Sequence, residues 1–159
     1  MSKALRIAIA AAAMVATGSY AAQDPATLSV TASVAARCKL TLSGPMAFGG
    51  LNPLSAADAT ATATATYKCT KGTSVTSFEV NSVTVGATGT GGTMTGASAS
   101  PDTIDYTINW TDPTVFVGAG MGSTAAEKTV TLNGKILNAE YVNAKPDSYS
   151  GTIGVAVNY

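Results

Sequence analysis

The chain has 159 residues, room for one domain with a real core rather than two comfortable ones. Nine Lys+Arg balance nine Asp+Glu, so no basic excess is available to hold phosphates, and nucleic-acid binding is not expected. There is no histidine, which removes the usual general base near neutral pH and the commonest metal ligand. Hydrophobic residues make up 46% but aromatics only 6%, so the core has to be built from Ala, Val, Ile and Leu.

In chain order, the first feature is a leader. Lys3 and Arg6 precede an apolar run from Ile7 to Ala16, Gly18 breaks it, and Ser19-Tyr20-Ala21 places small residues where a signal peptidase reads. Residues 1–21 are therefore expected to be a secretory signal peptide, the run being too short to span a bilayer easily. Without Lys3 and Arg6 the chain keeps seven basic against nine acidic residues, a formal charge of −2. Export gives the two cysteines meaning. In an oxidising compartment Cys38 and Cys69 read as one disulfide. Too few ligands are present for a metal site, and a cysteine nucleophile would lack its histidine, so no cofactor, metal or catalytic residue is expected.

From Ala26 to Val34 apolar and polar residues alternate strictly: Leu28, Val30, Ala32 and Val34 share one face, Thr27, Ser29, Thr31 and Ser33 the other. A second extended stretch covers Cys38 to Leu42. Gly44-Pro45 turns the chain, and Phe48-Gly49-Gly50 with Asn52-Pro53 forms a bend. Ala59 to Cys69 alternates Ala and Thr, with the odd positions sharing the cysteine's face and expected inward. Lys71-Gly72 is a turn. Val75 to Val85 reads as a strand whose parity changes between Val80 and Val83, which predicts a bulge near Asn81-Ser82. Gly86 to Ser100 reads as a mobile or hairpin-like surface segment. Its Gly89-Thr90-Gly91-Gly92 lacks the Lys-Ser/Thr and the following helix of a phosphate loop. Thr103 to Trp110 is a strand with Ile104, Tyr106, Ile108 and Trp110 on one face, ended by Asp112-Pro113. Gly118 to Gly122 is a loop. Thr129 to Leu137 is a strand broken at Asn133-Gly134, where a tight hairpin turn is one reading and a bulge the favoured one; Lys145-Pro146-Asp147 is a turn, and Tyr149 to Tyr159 is the last strand.

About seven strands at roughly ten-residue spacing, with no helix longer than a turn, predict an all-β, immunoglobulin-like sandwich. Such a sandwich needs a seventh strand beside its sixth. Counted from Cys38, the chain reaches its last residue at the sixth, so one edge is expected to be unpaired and the core beneath it open. The stretch before Cys38 is the natural donor for that gap, in a neighbouring molecule. From the patterning alone, the plainer readings are that it is the first strand of its own domain or pairs within its own chain.

The chain resembles the spore coat U family, which includes subunits of archaic chaperone–usher pili. The resemblance lies in the alternating apolar residues before Cys38, Phe48-Gly49 with Asn52-Pro53 behind it, and Tyr67-Lys68-Cys69-Thr70-Lys71-Gly72-Thr73. It continues through Met94, Ile104-Asp105-Tyr106-Thr107-Ile108, Gly134-Lys135-Ile136 and the closing Ser148 to Tyr159. The chain departs from the family in having no Arg before Met94, Val117-Gly118 where Trp-Gly is common, and Tyr149-Ser150-Gly151 where Tyr-Ser-Asp is usual.

The resemblance implies an incomplete immunoglobulin-like sandwich lacking its last strand, completed by a donor strand from a chaperone or a neighbouring subunit. It divides the chain into leader (1–21), N-terminal donor extension (22–36) and pilin domain (37–159). Leu28, Val30, Ala32 and Val34 would be donor residues. Ile153, Val155, Val157 and Tyr159 would line the acceptor groove and contact the chaperone. Implied partners are a periplasmic chaperone, an outer-membrane usher and identical or related subunits, with export through the periplasm to a surface pilus serving adhesion and biofilm formation. A spore or cyst coat protein or a minor tip-associated adhesive subunit is the alternative within the family. Outside it, exposed aromatics around Trp110 and Phe116 could hold sugar, and Asp102 with Asp105 could suggest acid–base work. Core packing and the solvation of a strand start are the plainer uses of those residues.

Overall fold

The computed structural model describes residues 24–84, 89–99, 101–111, 116–122 and 124–159. The expected leader, Val85 and the Asp112-Pro113 strand end lie outside the described residues. Residues 24–37 carry no helix or strand and are exposed throughout.

From Cys38 onward eleven strands and one short helix are described. They are β1 (Cys38–Leu42), β2 (Ala59–Cys69), β3 (Ser74–Val75), β4 (Ser77–Val80), β5 (Val83–Thr84), β6 (Thr90–Gly96) and β7 (Thr103–Trp110). β8 (Phe116–Val117), β9 (Lys128–Ile136), α1 (Asn138–Tyr141), β10 (Tyr149–Ser150) and β11 (Val155–Asn158) follow. One sheet has six strands in the order β1-β2-β9-β7-β6-β10, a second has three in the order β11-β4-β5, and β3 pairs with β8. Every pairing is antiparallel. The fold is all-β and sandwich-like, as the alternation implies.

Alternation decides which side chains meet. On β7 the even positions Ile104, Tyr106, Ile108 and Trp110 are buried and the odd ones exposed. On β2 Ala65, Tyr67 and Cys69 are buried, and on β9 Val130, Leu132 and Ile136. Phe78 and Val80 of β4 meet them from the other layer. The Tyr67 ring stacks near Phe78 (6.2 Å) and takes Phe116 edge-on (5.4 Å, 89°). Cys38 and Cys69 face one another in the β1–β2 register and are bonded, which ties the end strand β1 to its neighbour.

Four local expectations change. Asn81-Ser82 is not a bulge but the two-residue loop of a hairpin, with Val80 paired to Val83; both residues take positive φ (49° and 61°), the geometry of a type I′ turn. Asn133-Gly134 is neither turn nor bulge, because β2 and β9 stay in register from Ala59↔Ile136 to Tyr67↔Lys128. Gly134 is there for space: a Cβ would overlap Met46 Sδ and lie 2.8 Å from Phe48 Cζ. The Gly-rich segment before Ser100 contains an inner strand, β6, between β7 and β10. Its glycines make room for an aromatic, since a Cβ on Gly92 would overlap the Tyr106 hydroxyl. The last strand is two: β10 pairs with β6 in the large sheet, and β11 with β4 in the small one. The stretch 151–154 changes sheets between them.

Replacing both Cys38 and Cys69 by Ser should lower the unfolding free energy by about 3–4 kcal/mol, the chain-entropy value for a loop of this size. Urea titration of oxidised wild type against the double variant measures it.

Candidate binding groove

β1 and β11 are end strands of their respective sheets and lie close to one another. Among the described residues no strand pairs with the outer edge of either. The Gly154 and Asn158 carbonyls accept from Asn81 and Thr76 on the β4 side. Because backbone groups alternate along a strand, those of Val155 and Val157 are directed to the open side. The same holds across the gap. Thr70 donates to the Arg37 carbonyl and Ser43 donates to Thr64, so the backbone groups of Cys38, Leu40 and Leu42 turn away from β2.

An apolar cavity of about 230 Å³ opens between these edges. Leu42, Met46 and Phe48 form one wall, Ala63 and Leu132 belong to the floor, and Ile153 and Val155 form the other wall. Val155 and Val157 pair one-to-one with Val80 and Phe78, which are completely buried, yet both valines are only half-buried. The same layer is thus sealed on its inner strand and open on its end strand. Tyr106 also lines the cavity, and burial pushes its phenol pKa up.

A larger cleft of about 630 Å³ adjoins and shares Met46, Phe48 and Met94. Its far wall is the stretch from Tyr141 to Tyr149. Two aspartates hold that wall. Asp102 accepts from Lys145 N (2.9 Å) and pairs with Lys145 Nζ (3.2 Å). Asp147 accepts from Ser98 N (2.9 Å) and Ser148 N (2.7 Å). These hydrogen bonds hold both carboxyls below the usual carboxylate range, the Lys145 backbone N–H leading for Asp102 and the Ser98 N–H for Asp147. Asp58 is lowered in the same way by Lys135 and the Asn138 N–H.

The residues singled out in the sequence sort clearly. Ile153, Val155 and Val157 pack against the core along the open edge; Tyr159 does not and is 48% exposed. Leu28, Val30 and Val34 are 85–88% exposed and Ala32 is exposed too. Trp110 is buried and Phe116 packs on Tyr67, so these aromatics serve the core rather than a sugar surface. Asp102 clamps Lys145 while Asp105 accepts from Thr93 Oγ1 (2.7 Å) on the outer face, so the two do not converge on one site. Sequence reading missed Met46, Phe48 and Met94 as groove residues. Their signal was weak, since two lie in a segment without strand periodicity.

The family model of the spore coat protein U domain matches residues 24–156. The chain belongs to that family. It is a family of structural, non-enzymatic domains, and membership is consistent with a subunit of pilus or coat type. No curated protein and no solved structure gives a significant match. Among the described residues of this spore coat protein U domain, no helix is long and apolar enough to cross a membrane.

The lowered aspartates set a pH dependence. Each binds its proton more weakly folded than unfolded, so its contribution is present above the unfolded pKa, about 3.9, and is lost as pH falls through the lower folded value. The urea midpoint should be flat from about pH 7 to 5 and fall below about pH 4. Asp102→Asn should flatten part of that fall.

Proposed function

We propose that this spore coat protein U domain is a pilin: a structural subunit that polymerises by donating its N-terminal strand to the open groove of the next subunit, on a chaperone–usher surface pilus. The observation that carries this reading is the pairing of two open features. One is an apolar groove between two end strands. The other is an exposed segment whose Leu28, Val30, Ala32 and Val34 alternate at strand period. Four aliphatic side chains left in water forgo about 1.5–3 kcal/mol each for the larger ones. The groove edge offers unpaired backbone groups and half-buried valines. A strand added there gains ladder hydrogen bonds and apolar burial at once. Because donor and acceptor are different patches of one chain, the contact is head-to-tail and builds an open fibre.

In this reading the signal peptide is 1–21, the donor extension 22–36 and the pilin domain 37–159. Before assembly a periplasmic chaperone fills the groove along Ile153, Val155 and Val157, with Tyr159 at its rim, and an outer-membrane usher is where the next subunit displaces it. The disulfide supports the arrangement by fixing β1, one lip of the groove.

Val30→Asp should abolish fibre assembly, because a carboxylate would have to enter an apolar pocket. It should leave chaperone binding and melting temperature unchanged, since Val30 is 85% exposed in the subunit. Electron microscopy of cells expressing the variant is the test, and normal fibres would reject strand donation.

A further inference from the structure

We infer that the two ends of the six-stranded sheet are complementary surfaces for a second copy: the basic end of a subunit that donates its strand docks on the acidic end of the subunit that accepts it. This rests on the strand-donation reading above and adds to it a contact outside the groove.

The observation is how the charges are shared out. At the disulfide end, where β1 and β9 start and β2 stops, stand Arg37, Lys39, Lys68, Lys71 and Lys128. They are five of the seven basic residues beyond the leader. Lys39 and Lys68 lie directly opposite one another, an unfavourable pair that an anionic partner would relieve. Among the described residues there, the acidic one is Glu127, paired with Lys68 (2.6 Å). At the other end, where β2 starts and β9 stops, stand Asp58, Asp102, Asp105, Glu140 and Asp147, against Lys135 and Lys145. Hydrogen bonds hold Asp58, Asp102 and Asp147 below the usual carboxylate range, so all three stay ionised near neutral pH. β2 has 11 residues, which sets the ends about 33 Å apart, several Debye lengths at physiological salt. Over that distance they act as separate patches rather than cancelling.

Donation brings the opposite patches together. β11 runs toward the basic end: Asn158 accepts from Thr76 N, and β3 beside Thr76 is tied to Cys69 through β8 and the Gly120 N–H. Every pairing in the domain is antiparallel, and a strand added antiparallel to β11 runs away from the basic end. The Ala26–Val34 stretch extends over about 27 Å, close to the length of β2, so it leaves its host at the acidic end. Arg37 of the donor follows three residues after Val34, within about 10 Å. The donor's Arg37, Lys39 and Lys71 are thereby set against the host's Asp102, Glu140 and Asp147. Insertion in the opposite sense would oppose two basic ends, so the charges also reject the wrong orientation.

Charge reversal tests the contact. Arg37, Lys39 and Lys71 are exposed, and among the described residues none of them forms an ion pair. Assembly of the purified secreted chain is followed by light scattering at about 0.01 M and about 0.15 M salt. The wild-type rate should fall about tenfold across that range, as steered association does. A variant carrying Arg37→Glu, Lys39→Glu and Lys71→Glu should still melt cooperatively, assemble about tenfold more slowly at low salt, and speed up as salt rises. Adding Asp105→Lys and Glu140→Lys should restore both the low-salt rate and its fall with salt, which a purely structural role of these side chains would not do. The second probe is a fluorescent peptide of residues 26–36, which carries no charged side chain. Titrated by anisotropy, it should bind wild type and variant alike at either salt. Three results would overturn the contact and leave donation standing while the peptide binds: wild-type assembly that is absent or indifferent to salt, a reversed variant that assembles at the wild-type rate, or a reversal that the added lysines do not rescue. A peptide that binds neither chain would overturn donation, and the contact with it.

Discussion

The structure depends on an inequality of width. A six-stranded sheet puts its outer strands about 24 Å apart, whereas the three-stranded sheet facing it spans about 10 Å. The apolar inner face of the wide sheet therefore needs other cover. At the Cys69 end β3 and β8 supply it, with Phe116 set against Tyr67. Elsewhere the segments between β1 and β2 and between α1 and β10 lean over the core without strand pairing. Between these covers lies the groove. Its position follows from which strands end up at the margins, and no special residue is needed to create it.

Fixing the lips of such a groove is a separate problem, because end strands fray. One lip is bonded covalently to its neighbour through Cys38 and Cys69. The other is short but braced at its start. Asn81 donates through its backbone to the Gly154 carbonyl, and its Oδ1 accepts from Gly154 N (3.0 Å). The wall of the adjoining cleft is held by Asp102 and Asp147, which gather donors from Ser98, Lys145 and Ser148. The openness is thus held in place by bonds outside the gap, a combination that suits a site kept ready for a strand.

Much of this was legible in the sequence because the alternation is strict where one face is buried. The inward faces of β2, β7 and β9 could be read directly from Ala65, Tyr67, Ile104 to Trp110 and Val130 to Ile136. The cysteine pairing followed from their number. What failed to show were the departures in the backbone. The parity change at Asn81-Ser82 looks the same for a bulge and for a two-residue hairpin, and only the positive φ values separate them. Gly92 and Gly134 looked like interruptions, yet they are strand residues whose missing Cβ leaves room for Tyr106 and for Met46 with Phe48. The final stretch read as one strand because its parity is kept while it changes sheets. Met46, Phe48 and Met94 stayed hidden because their role comes from where two loops and an inner strand meet, which no local pattern records.

The claim that the interior is finished by another molecule can be tested most directly at the backbone amides of Val155 and Val157, which point out of the open edge. Their hydrogen exchange should be fast in the isolated secreted chain and slowed by orders of magnitude in the assembled fibre, while Val80 stays protected in both. Full protection in a monomer, or fast exchange in the fibre, would contradict the account.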